Sequence, residues 1–162
     1  MNRKNALFTL FLILIAVFAA QFFNIGKDSE EYRVMSVADG DSFSLMKNRT
    51  EVKVRLYGID CPERKQPFNK KAGKFTRTML QKGKIELTKV DLDRYGRTVA
   101  WVFVDSLNLN EELVRRGLAW HYKHHSKDTS LARLEKNARL NKTGLWSDPH
   151  PIAPWEFRKQ KR

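Results

Sequence analysis

Glu51-Val52-Lys53-Val54-Arg55-Leu56-Tyr57-Gly58-Ile59-Asp60-Cys61-Pro62-Glu63 is the stretch on which the reading of this chain turns. From Glu51 to Ile59 it alternates, with Val52, Val54, Leu56 and Gly58 on one side and Lys53, Arg55 and Tyr57 on the other. A period of two is the mark of a half-buried strand. Arg55 therefore stands on the face opposite Val54 and Leu56, and an arginine held on a folded sheet needs a carboxylate or a bound anion as partner. Pro62 biases Cys61 to an extended backbone. The chain thus leaves the strand with Asp60 and Glu63 at its exit, where loops on a rigid scaffold gather functional groups.

Reading outward, Tyr32–Val37 alternates and is followed by Ser42–Met46 across the turn Ala38-Asp39-Gly40-Asp41. Lys84–Val90 and Arg97–Val104 read as two further strands joined by residues 91–96. From Pro67, the residues Phe68, Ala72, Phe75, Met79 and Leu80 recur at helical spacing, with Gly83 beyond the end. A second helix is predicted over Asn110–Arg116, capped by Asn110, with Glu111 and Glu112 at its positive end and Gly117 closing it. A third covers Thr129–Asn141. The segment from Leu145 holds Pro149, Pro151 and Pro154 and predicts no helix, only a surface wrap ending in the basic run 158–162. Five short strands interleaved with three helices define an α+β domain. The simplest closed arrangement is a five-stranded OB-type barrel.

Thirty-one Lys and Arg against 18 Asp and Glu give a net charge of +13, which favours a polyanionic partner, nucleic acid or an anionic membrane. Arg3 and Lys4 are the only charged residues before Lys27, so the excess belongs to the domain. They precede an apolar run from Ala6 to Ala20, the n- and h-regions of an export signal. Val17-Phe18-Ala19 offers a cleavage site; extended through Phe23, the run of 18 residues reaches the lower edge of the ~17–25 that span a bilayer. Residues 1–23 are thus read as a signal peptide or membrane anchor, 24–31 as linker, 32–146 as the domain and 147–162 as tail. Export leads to a secreted or cell-envelope protein, read as a monomer. Cys61 is the only cysteine, so no intramolecular disulfide is available.

Three clusters carry chemistry: Asp39-Gly40-Asp41-Ser42, then Arg55 with Asp60-Cys61-Pro62-Glu63, then Asp93-Arg94-Tyr95-Gly96-Arg97. Singly, each is compatible with an ordinary turn. In this order and spacing they resemble the staphylococcal nuclease (thermonuclease) family. The likeness runs from about Tyr32 to Trp146 and takes in Asn110-Glu111-x-Leu113-Val114-Arg115-x-Gly117-Leu118-Ala119. The resemblance implies an OB-type barrel with three helices, a Ca²⁺ site, and hydrolysis of DNA and RNA to products ending in 3′-phosphate. By position it implies Asp41, Asp60 and the Cys61 backbone carbonyl as calcium ligands. Glu63 falls beside the attacking water, and Arg55 and Arg97 on the phosphate.

Those assignments agree with residue chemistry. Carboxylate and carbonyl oxygens suit a hard cation, and fork-shaped guanidinium groups follow charge as it grows on phosphate oxygens better than lysine would. The resemblance also implies nucleotide contacts at Arg94, Tyr95 and Tyr122, where stacking is tolerant of sequence. Ser42 stands where the family more often has Thr, and the segment from Glu63 to Phe75 is shorter. His121, His124 and His125 form a cluster better read as a basic loop than as a zinc site. The rival to an enzyme is a catalytically weak, membrane-tethered nucleic-acid-binding module of the same fold. Retention of all five of Asp41, Arg55, Asp60, Glu63 and Arg97 favours the enzyme.

Overall fold

The computed structural model describes residues 31–160. The proposed signal or anchor, residues 1–23, and the linker up to residue 30 lie outside the described residues, as do 161 and 162. Among the described residues no helix is long and apolar enough to cross a membrane.

The expected strands form with small shifts of boundary: β1 Arg33–Val37, β2 Ser42–Lys47, β3 Thr50–Leu56, β5 Ile85–Leu92 and β6 Thr98–Val104. Three two-residue strands add to them: β4 Ile59–Asp60, β7 Leu107–Asn108 and β8 Trp120–His121. The principal sheet runs β1-β2-β3-β6-β5, with β7 beside β6, while β4 pairs with β8. In this pairing the sheet is open, since no ladder joins β1 to β5 among the described residues. β2 and β3 are joined by a two-residue hairpin in which Asn48 and Arg49 both have positive φ, 48° and 61°. That is the turn whose twist suits flanking strands, and asparagine adopts it readily. β3 and β6 are parallel, with Arg55 opposite Val99.

Four α-helices occur among the described residues, not three: α1 Asn69–Leu80, α2 Leu109–Arg115, α3 Thr129–Leu140 and α4 Pro154–Gln160. The fourth corrects the expectation that the proline-rich tail stays extended. Proline is excluded from a helix interior because it lacks an N–H, but at the first helical position no N–H is needed, and Pro154 occupies that position. A second correction concerns α2. Its cap is Asn108, whose side chain accepts from the N–H groups of Asn110 (3.0 Å) and Glu111 (3.3 Å). Asn110 instead lies wholly buried inside the fold. Its side chain accepts from Val102 N (3.0 Å) and donates to the carbonyls of Tyr57 (2.9 Å) and Ala100 (3.2 Å), tying α2 to β6 and to the end of β3.

Within the alternation read over Glu51–Ile59, Val54 and Leu56 are buried on the face opposite Arg55. They join Phe43, Leu45, Ala100, Val102, Leu109, Leu113 and Leu131 in the main core. A second apolar cluster, Trp120, Ala138, Leu145, Trp146 and Ala153, with Trp155 against it, packs under the C-terminal segment. It anchors the chain that leads into α4.

Candidate active site

Asp41 begins at the turn after β1. The Asp39 side chain accepts from the N–H groups of Asp41 (3.0 Å) and Ser42 (2.8 Å), fixing the turn that starts β2. Gly40 is required by close approach: a Cβ there would meet Cys61 Sγ at 2.6 Å and Ala72 Cβ at 2.7 Å. Thr76 of α1 donates to the Gly40 carbonyl at 2.6 Å, so the helix holds this turn against the 60–63 segment.

Three of the expected residues form one hydrogen-bonded centre. Arg55 donates through Nη1 to Asp41 Oδ1 and through Nη2 to Asp60 Oδ1 at 2.7 Å. Asp41 Oδ2 accepts from the Cys61 N–H at 2.6 Å, and its other oxygen from Ser42 Oγ at 3.2 Å. Both aspartates are only 1% exposed. Burial pushes the Asp41 carboxyl up, to about 8; the Arg55 charge pulls it down, and Asp39 and Asp60 add to the rise. Burial opposes the Arg55 charge in turn, but the two aspartates outweigh it and hold the guanidinium above its usual range. A pair of carboxylates buried this far from water demands cationic partners.

Arg97 joins from the β5–β6 turn. Its Nη1 donates to Ser42 Oγ at 3.2 Å, while its Nε is held by Asp93 Oδ2 at 2.7 Å. The other oxygen of Asp93 accepts from the N–H groups of Tyr95 and Arg97, both at 2.9 Å, so one carboxylate shapes the turn and aims the arginine. Arg94 and Tyr95 sit exposed at the tip. Arg94 donates to the Tyr95 hydroxyl at 2.8 Å, and both Arg94 and Arg97 lie over the Tyr95 ring.

Glu63 is two residues beyond Cys61, its N–H held by Gln66 Oε1 at 2.7 Å. Tyr122 follows β8 and takes its N–H to the Gly58 carbonyl at 2.8 Å. The Cys61 side chain is buried beneath the turn, where burial pushes the thiol up and leaves it protonated. His121 is buried whereas His124 and His125 are exposed.

Two residues of this site escaped sequence reading. Arg158 of α4, expected on a solvated basic tail, lies against the carboxylates. It donates to Asp60 Oδ2 at 2.8 Å, to Asp60 Oδ1 at 3.3 Å and to Glu63 Oε1 at 2.5 Å. Trp155 of the same helix stacks on Tyr122, with ring centres 5.2 Å apart and planes 20° from parallel. The apolar pattern of Ile152, Ala153, Trp155 and Phe157 was the available signal that this tail docks rather than floats.

For a cation, the donor chemistry is that of a hard-metal site: two buried carboxylates and no thiolate. Among the described residues no group of three or more His, Cys, Asp and Glu side chains is gathered as a ready cage. A cation bound between Asp41 and Asp60 would therefore take other oxygens, from backbone, water or substrate, to complete its shell.

Buried carboxylates interleaved with arginines, at the edge of the sheet of a basic domain, are residue types suited to a cation and a phosphodiester. Residues 53–148 match the family model for staphylococcal nuclease homologues. The chain is 35% identical over 162 residues to a protein of Haemophilus influenzae named as an uncharacterized endonuclease, covering 99% of this chain and 88% of that one. A protein of Escherichia coli with the same name is 38% identical over 130 residues, 80% of this chain and 85% of the other. The micrococcal nuclease of Shigella flexneri is 33% identical over 140 residues, 80% of each. This chain belongs to the staphylococcal nuclease family and is an enzyme of the nuclease class.

Proposed function

We propose that the protein is an exported, Ca²⁺-dependent nuclease that hydrolyses phosphodiester bonds of DNA and RNA by releasing the 5′-oxygen and leaving 3′-phosphate ends. The observation that carries this reading is the convergence of Asp41, Arg55 and Asp60 on one buried centre, with Arg97 reaching it through Ser42. The order of strands β1 to β3, with β6 parallel to β3, supports an OB-type topology.

In this reading Asp41, Asp60 and the Cys61 carbonyl hold the cation. When bound, calcium supplies positive charge to a phosphate oxygen and orders the water around it. Glu63, part-exposed at the rim, presents water to phosphorus and takes its proton or fixes its direction. Arg55 and Arg97 donate to the non-bridging oxygens, where negative charge grows as the water attacks. Asp93 keeps Arg97 in place through the contact at 2.7 Å. Tyr122 offers a ring face to a base, and Arg94 and Tyr95 extend the cationic, aromatic rim towards the chain of nucleotides. Export is supported by Arg3 and Lys4 ahead of the apolar run.

Digestion of plasmid DNA and of RNA by the domain from Asp28 onward tests the proposal directly. Cleavage with Ca²⁺ that stops on chelation is the expected result. Cleavage indifferent to chelator removes the calcium reading.

A further inference from the structure

We propose that α4 is a built-in competitor for the catalytic centre, with Arg158 taking the place of the cation and its water, and Trp155 the place of a nucleotide base. The inference rests on the proposed roles of Asp60, Glu63 and Tyr122, and it concerns how their site is regulated.

Arg158 makes a forked contact with both oxygens of Asp60, at 2.8 and 3.3 Å, and reaches Glu63 Oε1 at 2.5 Å. One guanidinium thus fills the gap between the proposed metal ligand and the proposed water-holding carboxylate. Asp60 Oδ1 already accepts from Arg55 at 2.7 Å. A divalent cation entering this gap meets two guanidinium charges on the carboxylate it must share. Arg55 is fixed on β3, a central strand, whereas Arg158 is carried by a seven-residue helix and is the one free to leave. Trp155 meanwhile covers Tyr122 in nearly parallel stacking, the geometry a base would take there. Two points of one helix therefore occupy two subsites together.

The docking of α4 is of the kind that can be undone. A helix this short has little stability of its own. Its attachment relies on Trp155 against Trp120 and Tyr122, on buried Ala153 and Pro154, and on Gln66 Nε2 donating to the Ile152 carbonyl at 3.0 Å. Beneath it lies a cavity lined by Pro62, Phe68, Trp120, Ile152 and Phe157, so the underside of the segment is incompletely packed. Residues 53–148 match the family model, and α4 follows them.

Ca²⁺ affinity of the full chain, measured calorimetrically for wild type, Arg158→Gln and Trp155→Ala, tests the proposal, together with hydrogen exchange of the 154–160 amides. If α4 leaves the site open about one tenth of the time, apparent affinity rises about tenfold once the helix is released. Both variants are expected to bind Ca²⁺ more tightly, and Ca²⁺ to speed exchange across 154–160 in wild type. Trp155→Ala is the deciding variant, because Trp155 touches neither carboxylate and its effect must come from undocking. Unchanged or weaker affinity in Trp155→Ala, or slower exchange of α4 with Ca²⁺, overturns the competitor and makes α4 part of the working site. Asp60→Asn, made in the Arg158→Gln background, separates the two levels. If none of wild type, Arg158→Gln and Trp155→Ala binds Ca²⁺, or if Arg158→Gln binds it equally with and without Asp60→Asn, the calcium reading itself fails and takes this inference with it.

Discussion

Glu63 and His121 illustrate two ways in which a single side chain can be read. Glu63 is positioned by its own backbone through Gln66 and presents its carboxylate at the rim. Replacing it by Gln keeps shape while removing the capacity to take a proton and the negative charge that Arg158 pairs with. Cleavage by Glu63→Gln is expected to fall at least about 100-fold with a melting temperature near that of wild type; near-normal turnover of plasmid would remove Glu63 from the chemistry. His121 is a matter of stability. It is 3% exposed, and neither ring nitrogen has a hydrogen-bond partner among the described residues. Burial lowers its pKa below the ordinary 6.5, with Lys123 acting in the same direction and the carboxylates of Glu135 and Asp128 against it. Below about pH 6.5 the unfolded chain binds a proton that the folded chain resists, so stability is full above that value and is lost as pH falls beneath it. Asp41, with its carboxyl raised to about 8, titrates in the opposite sense over the same window. The readout is therefore the difference between wild type and His121→Leu in thermal unfolding from pH 7.5 to 5, with wild type expected to lose more, or gain less, as pH falls. Equal slopes in the two proteins would contradict the assignment.

Among the elements, α2 shows how neighbouring asparagines divide their work. Asn108 caps the helix from outside, so Asn108→Ala is expected to cost about 1 kcal/mol. Asn110 serves Val102, Tyr57 and Ala100 from a fully buried position. Without it the Ala100 carbonyl still accepts from the Tyr57 N–H. The Val102 N–H and the Tyr57 carbonyl lose the partner Asn110 gives them, each at about 1–3 kcal/mol, so Asn110→Ala should destabilise by about 2 kcal/mol or more. Chemical denaturation of both variants measures the difference, and comparable losses would mean that the buried network carries less than its geometry indicates. The same element-scale logic governs the β5–β6 turn, where Asp93 shapes the backbone that Arg97 stands on. Gly96 takes φ of 75°, a conformation glycine adopts without strain, and completes that turn.

For the whole molecule, charge is the property that a substrate meets first. Excess Lys and Arg attract the phosphate backbone regardless of base sequence. If Arg55, Arg94 and Arg97 each neutralise one phosphate of a single strand, the logarithm of the binding constant should fall with the logarithm of salt at a slope of about −2 or steeper. Oligonucleotide binding across a salt series checks this, and a slope near zero would mean that the basic surface is not used. Much of the fold follows from local pattern. The alternation of residues 51–59 was visible because a half-buried strand places successive side chains on opposite faces. Arg55, Asp60 and Glu63 were legible for the same reason, since they sit within one strand and its exit. The helical stripe from Phe68 to Leu80 was equally plain, as its apolar spacing encodes which face is covered.

What the linear chain could not express was contact between distant segments. Asn108 rather than Asn110 capping α2 depended on which of the two could reach Tyr57 and β6. Pro154 could begin a helix only because Ala153 and Trp155 found an apolar cluster to pack on. Arg158 meets Asp60 from 98 residues away, a separation at which no local spacing carries information. Periodicity therefore determined the five longer strands and the first three helices, because those rest on local geometry, and it was the spacing of the three motifs, through its resemblance to the family, that proposed the catalytic side chains. Only the tertiary structure decided that the tail returns to the site, because a charge finds its partner by position in space and not by order along the chain.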